Sequence, residues 1–176
     1  MKGLPKEKWI EEGLRILGES SYVDIKIDHL CRQLNRSKGS FYHHFKDIKD
    51  YYSHLFDSLG KCQTKDLDKT IEVSPTPKEK LKLVNEFIIK NVCKEMTSLR
   101  AWATHNYQAR EFIDKADITK LEYLTKLYSD VGFDPKRAKS RAKLNLALLV
   151  GIYQLYNDST DSELNELITG IKEIID

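Results

Sequence analysis

The sequence predicts an all-α protein of about nine helices, with a small N-terminal unit and a larger C-terminal one. Three observations carry this. Apolar residues recur at helical spacing along most of the chain, and the strict alternation of a half-buried strand is nearly absent. Glycine is scarce, and proline is confined to Pro5, Pro75, Pro77 and Pro135. Residues that cap helices, Ser37, Asp47, Thr76, Asp134 and Ser162, stand in front of apolar periodic runs.

The first helix is expected to start with Pro5 in its first turn, where a missing N–H is harmless. Trp9, Ile10, Leu14 and Leu17, with Ile16 beside them, give it one apolar face, and Gly18 is the expected stop. A short second helix reads Asp28 to Leu34, with Leu30, Cys31 and Leu34 inward. Asn35 tolerates the left-handed conformation that ends a helix. Ser37 is the expected N-cap of a third helix reaching Phe45, and Asp47 that of a fourth carrying Tyr51, Tyr52, Leu55, Phe56, Leu59 and later Leu67.

"VSPTPKEK" is the clearest break in the chain. Thr76 and Pro77 then open a helix to about residue 95, with Leu81, Val84, Phe87, Ile88 and Val92 inward. After "SLRAWATHNYQAREFID" the next helix is expected from Asp117 to Val131, with Gly132 as its stop. Asp134 and Pro135 start another, running to about Tyr156 and apolar nearly all round in its second half. Ser162 is expected to cap the last, which carries Leu164, Leu167, Ile168, Ile171, Ile174 and Ile175.

The chain of 176 residues, 40% apolar and 32% charged, is long enough to bury a sizeable core. No apolar run approaches the roughly 20 residues a bilayer span needs, and the start has no signal-peptide core, so the cytoplasm is the expected location. Cys31, Cys62 and Cys93 are widely spaced, which supports neither a disulfide scaffold nor a zinc site. Net charge is only +2, but it is unevenly placed. Lys26, Arg32, Arg36, Lys38, Lys46 and Lys49 face only Asp28 and Asp47 within residues 26–49, whereas residues 158–176 are strongly acidic.

Two short helices joined through Asn35 and Arg36 have the spacing of a helix-turn-helix. In that motif the N-terminal half of the second helix enters the major groove, and small residues there permit close approach. Lys38, Gly39 and Ser40 suit that place. Gly39 costs about 1 kcal/mol of helix propensity relative to Ala, which suggests a steric reason for it. Phe41 and Phe45 should point inward together, leaving Tyr42 and His43 to donate to phosphate oxygens. His43 and His44 diverge by about 100° on a helix, so they cannot share a metal ion.

The string "LCRQLNRSKGSFYHHFKDIKDYY" resembles the DNA-binding signature of the TetR family of bacterial transcriptional regulators, over roughly residues 8–56. The resemblance implies an Ω-shaped homodimer with a helix-turn-helix domain at residues 1–47. Residues 48–176 would form an effector-binding and dimerisation domain, with the fourth helix as connector. It implies binding to double-stranded operator DNA and, usually, repression released by a small molecule. It places Lys38, Gly39 and Ser40 at the groove, and Ser37, Tyr42 and His43 at phosphates; the cations Lys26, Arg36, Lys46 and Lys49 complete the expected DNA face. Three positions depart from the family pattern. Lys26 and Ile27 stand where a Thr or Ser usually opens the second helix. Asn35-Arg36 replaces the common Gly-Val turn. Ile48 replaces a phosphate-reaching Lys, with Lys49 next to it. The departures at Arg36 and Ile48 motivate an alternative: the same fold without DNA reading, acting as a protein-interaction partner.

Two further sets complete the reading. Trp102, His105, Tyr107, Phe112, Tyr123, Tyr128 and Tyr153 are either ordinary core or the lining of an effector pocket, with Trp102 and His105 one helical turn apart on one wall. Leu144, Leu148, Ile152, Leu155, Leu164, Leu167, Ile168 and Ile171 give the last two helices more apolar surface than one chain needs to cover. The resemblance implies that these helices form a four-helix dimer interface; burial within one chain is the other reading. No paired acid/base set, phosphate loop or cofactor motif is present, and His105 with Cys93 lacks a hydrolase motif, so neither an enzyme nor a cofactor is expected.

Overall fold

The computed structural model describes residues 4–20, 22–64, 76–90, 94–156 and 160–175; the side chains of 62–64, 90, 153, 161, 164 and 171–175 are outside that description. Among the described residues there are nine α-helices: α1 Lys6–Glu19, α2 Ile27–Gln33, α3 Lys38–Tyr42, α4 Ile48–Thr64, α5 Pro77–Lys90, α6 Lys94–Trp102, α7 Tyr107–Val131, α8 Pro135–Leu155 and α9 Asp161–Ile175. A 3-10 turn at Tyr22–Asp24 joins α1 to α2. No helix among the described residues is long and apolar enough to cross a membrane.

The chain divides into two compact units. One holds Met1–Cys62 with Lys94–Ile113, the other Gln63–Cys93 with Asp114–Asp176. Residues 1–47, expected as a helix-turn-helix domain, fall in a compact unit that also takes in most of α4, all of α6 and the first residues of α7.

The first unit is organised by aromatic rings. Trp9 meets Phe41 edge-on at 5.5 Å, Phe41 lies 5.0 Å from Phe45, and Phe45 meets Tyr51 edge-on at 5.0 Å. All four are buried. Tyr51 also donates its hydroxyl proton to the Trp9 carbonyl at 2.8 Å, which ties α4 to α1. That approach requires Gly13: a Cβ there would stand 2.1 Å from the Tyr51 hydroxyl oxygen. Burial pushes the Tyr51 hydroxyl pKa well above the usual phenol range, so it stays a donor. A second aromatic group gathers on Trp102, which is stacked with Tyr22 at 5.7 Å and meets Tyr52 and Phe56 edge-on at 4.7 and 5.5 Å.

The second unit buries Leu81, Val84 and Ile89 of α5 with Leu124, Leu127 and Tyr128 of α7, Ala138, Ala142, Leu149 and Ile152 of α8, and Ile168 of α9. Inside it, Asn145 donates from Nδ2 to the Tyr128 hydroxyl oxygen at 3.1 Å.

Caps set most boundaries, and several differ from expectation. Pro5 precedes α1 with an extended backbone instead of entering its first turn, and α1 passes through Gly18 to Glu19. The α-helical part of α3 ends at Tyr42, though the backbone N–H of Phe45 still donates to the Phe41 carbonyl at 3.0 Å. The segment expected to connect α5 to a helix at Asp117 is itself helical. Residues 94–102 form α6, and α7 begins at Tyr107, where Asn106 Oδ1 accepts from the Ala109 N–H at 2.9 Å. Thr160, not Ser162, caps α9, because Glu163 lies three residues on: Thr160 N–H donates to Glu163 Oε2 at 2.8 Å while Glu163 N–H donates to Thr160 Oγ1 at 3.4 Å. The expected positions Leu67 and Val92 lie outside the described residues.

Candidate nucleic-acid interface

The turn between α2 and α3 is built by the backbone. Asn35 takes a left-handed φ of 49°. Its N–H donates to the Arg32 carbonyl at 3.2 Å, and the N–H of Arg36 donates to the Cys31 carbonyl at 2.8 Å. This is the Schellman pattern, in which a hydrophobic contact usually joins the residue after the left-handed one to the helix's last inner turn. The end of α7 has that contact: Gly132 has φ 113°, and the Phe133 ring lies 5.9 Å from Tyr128. At the α2 end the equivalent residue is Arg36, which is exposed, so the turn closes without an apolar staple. What the motif lacks in packing it gains as a cation on the surface.

Ser37 then caps α3, accepting from the Ser40 N–H at 3.3 Å. Asp47 caps α4, accepting from the Asp50 N–H at 2.8 Å, and Asp50 accepts from the Lys46 N–H at 2.9 Å. Between the caps, Phe41 and Phe45 are buried and fix α3 to α1 and α4. The opposite side is therefore outward. Lys26, Arg36, Ser37, Lys38, Gly39, Tyr42, His43, Lys46 and Lys49 are exposed, and Ser40 is half-buried. All ten expected positions lie in the first compact unit. Ile48, in the place of the missing lysine, is half-buried, and Lys49 beside it is exposed.

Gly39 is informative. A Cβ built there meets only Ser37 Oγ, at 3.6 Å, an ordinary contact. Nothing inside the fold demands a glycine. Lys38 is not a free cation: Asp28 Oδ1 is 2.7 Å from its ammonium, and that bond raises the lysine pKa.

Sequence reasoning missed His44. Its Nε2 lies 2.7 Å from the Leu4 carbonyl oxygen. A carbonyl only accepts, so this nitrogen carries the proton and ties the N-terminal segment to the end of α3. Lys6 adds to the same tie, with its ammonium 5.1 Å above the Phe45 ring and 2.8 Å from His54 Nε2. The signal was unreadable locally, because the partners stand 40 and 48 residues apart.

The aromatic set expected either as core or as an effector pocket is divided between the two units. Trp102, His105, Tyr107 and Phe112 belong to the first unit, and Tyr123 and Tyr128 to the second; the Tyr153 side chain lies outside the described residues. Trp102 is buried in ring contacts and ends α6; His105 sits exposed in the following turn, its N–H donating to the Trp102 carbonyl at 3.0 Å. Tyr107 is 78% exposed. Phe112 packs on Phe56 at 5.6 Å, Tyr123 is half-buried, and Tyr128 is buried against Asn145.

The apolar set on α8 and α9 separates into two. Ile152 and Ile168 belong to the second unit's own core. Leu144 and Leu155 are 67% and 76% exposed, and Leu148 and Leu167 are half-buried. With Ala147, Gly151 and Ile152 these four line an open apolar groove between α8 and α9. The side chains of Leu164 and Ile171 lie outside the described residues.

No family model and no curated protein matches the sequence. Solved structures match it closely in shape. A TetR-family transcriptional regulator from Streptomyces coelicolor superposes with a TM-score of 0.82 at 14% identity, covering 97% of this chain and 87% of that one. A TetR transcriptional regulator from Legionella pneumophila gives 0.77 at 16% identity, with 99% of each chain covered. The transcriptional regulator FadR from Bacillus subtilis, solved with stearoyl-CoA, gives 0.75 at 17% identity over 97% of both chains. The chain has the all-α fold of these regulators over nearly its whole length.

Proposed function

We propose that this protein is a DNA-binding transcriptional regulator of the TetR type, a repressor released from its operator by a small molecule. The observation that carries the reading is the tip of α3. Gly39 gives up helix propensity with no internal reason, at the exposed N-terminal end of a helix anchored from behind by Phe41 and Phe45. A close external surface supplies the reason, and the flanking cations make a polyanion the fitting one. Lys38, Gly39 and Ser40 meet base edges. Lys26, Arg36, Ser37, Tyr42, His43, Lys46 and Lys49 hold phosphates.

Residues 1–47 do the reading in this account, and residues 48–176 carry effector binding and dimerisation, with α4 as connector. The open groove lined by Leu144, Leu148, Leu155 and Leu167 supports a homodimer, since apolar surface of that kind needs a cover. Effector binding is best supported in the second unit's core, where Asn85 and Asn145 are buried and neither Oδ1 has a partner among the described residues. A ligand that donates hydrogen bonds to them would shift the population between two spacings of the reading heads, by as much as its differential affinity allows. The site works in the cytoplasm, without cofactor or catalysis. Titrating labelled duplex from upstream of the protein's own gene, at several salt concentrations, tests the reading. It requires a specific complex that weakens steeply with salt. Absence of any specific complex at low salt would leave the fold as a protein-interaction module.

A further inference from the structure

Asp28 and Lys38 join the first turn of α2 to the first residue of α3. Their charged atoms are 2.7 Å apart, and their side chains are 75% and 60% exposed. A pair so wet contributes little to folding. Asp47, the other anion of the segment, is occupied as the cap of α4. Asp28 makes no cap hydrogen bond, since the N-cap of α2 is Lys26; as the acidic residue of the first turn it gains only the weak attraction of an exposed helix end. An exposed carboxylate at the mouth of a surface built for phosphate works against affinity, and an exposed helix end offsets little of that, so its presence there asks for a gain of another kind.

We propose that Asp28 and Lys38 read the operator as a pair, the carboxylate taking an exocyclic amino group of cytosine or adenine and the ammonium taking O6 or N7 of a neighbouring guanine. This rests on the DNA-binding reading above. The chemistry follows from what each group can do. An ionised carboxylate only accepts, and Lys38 occupies part of its lone-pair capacity, leaving the rest for an N–H. In the major groove only cytosine N4 and adenine N6 offer one; guanine, thymine and phosphate present acceptors and repel it. Asp28 thus selects by rejection as much as by attraction. It also restrains Lys38. A lysine left alone swings to the nearest phosphate, where it adds affinity for every sequence alike. Tied to Asp28, it stays over the base edges.

The test is selection by the full-length protein from a duplex pool randomised across the half-site, at fixed salt. Wild type, Asp28→Ala, Asp28→Asn and Lys38→Gln are compared. The wild type is expected to fix a cytosine or adenine at one position and a guanine beside it. Asp28→Ala should lose at least tenfold of the discrimination at the first position and bind unrelated duplex several-fold tighter. Asp28→Asn, which keeps the shape, should admit guanine or thymine at that position. Lys38→Gln should relax only the neighbouring guanine. If the wild type enriches a sequence and Asp28→Ala enriches the same one with equal discrimination, the inference is overturned while DNA binding stands. If the wild type enriches no sequence, the DNA-binding reading itself fails, and this inference with it.

Discussion

Replacing Gly39 with Ala separates folding from function at one atom. The added Cβ would meet only Ser37 Oγ at 3.6 Å, so the fold accommodates it without movement. Alanine removes the backbone freedom that glycine loses on folding, which stabilises a helix by about 0.5–1 kcal/mol. The Gly39→Ala protein should therefore melt a few degrees higher than wild type, since about 1 kcal/mol moves the midpoint of a domain this size by roughly 2–4 °C. DNA binding should move the other way. A methyl group at the point of closest approach holds α3 off the groove floor, and losing one good base contact costs about 1–3 kcal/mol, roughly 5- to 150-fold in affinity. Thermal melting followed by circular dichroism and fluorescence anisotropy on labelled operator read the two effects separately. A Gly39→Ala protein that is less stable would refute the packing argument. One that binds operator as tightly as wild type would refute the placement of α3 in the groove.

Four further outcomes follow. Arg36→Val supplies the missing apolar partner of the α2 Schellman turn; stability measured in urea should rise by a few tenths of a kcal/mol, and the slope of log affinity against log salt should fall by about one. Gly13→Ala sets a Cβ 2.1 Å from the Tyr51 hydroxyl, 2.9 Å from Leu55 Cδ1 and 3.1 Å from the Tyr51 ring, and should destabilise by about 1–3 kcal/mol; Tyr51→Phe should relieve the hydroxyl's part of that cost and leave the rest, a coupling that a double-mutant cycle measures. Tyr42→Phe should weaken binding to specific and unrelated duplexes by the same factor in parallel anisotropy titrations, because a phosphate contact carries no sequence information. Leu144→Glu with Leu155→Glu puts charge on the open α8–α9 groove, and sedimentation should shift from dimer to monomer while far-ultraviolet ellipticity is retained.

What could be read in the sequence was local. Asn35, Ser37, Asp47, Thr76, Gly132 and Asp134 all act at the helix ends where their side chains or backbone freedom placed them. The inward pairing of Phe41 and Phe45 followed from their spacing. Thr160 was equally legible, since Thr-x-x-Glu is a capping box, but Ser162 drew the assignment by standing nearer the apolar run. The start of α7 was missed because His105, Asn106 and Tyr107 look like a loop, and only Asn106 marks the helix end. Where α8 is apolar on several faces, periodicity does not say which face the rest of the chain covers; Ile152 turned inward and Leu155 outward. The Leu4–His44 and Asp28–Lys38 contacts depend on how helices pack, which spacing along the chain does not encode.

The central claim is that residues 36–46 form a reading head for duplex DNA. Footprinting of the DNA upstream of the protein's own gene tests it most directly. The account predicts one protected site containing two related half-sites about one helical turn apart, roughly 34–36 Å, lost on raising salt and lost in Gly39→Ala. Protection that is absent at low salt, or that survives Gly39→Ala unchanged, would contradict it.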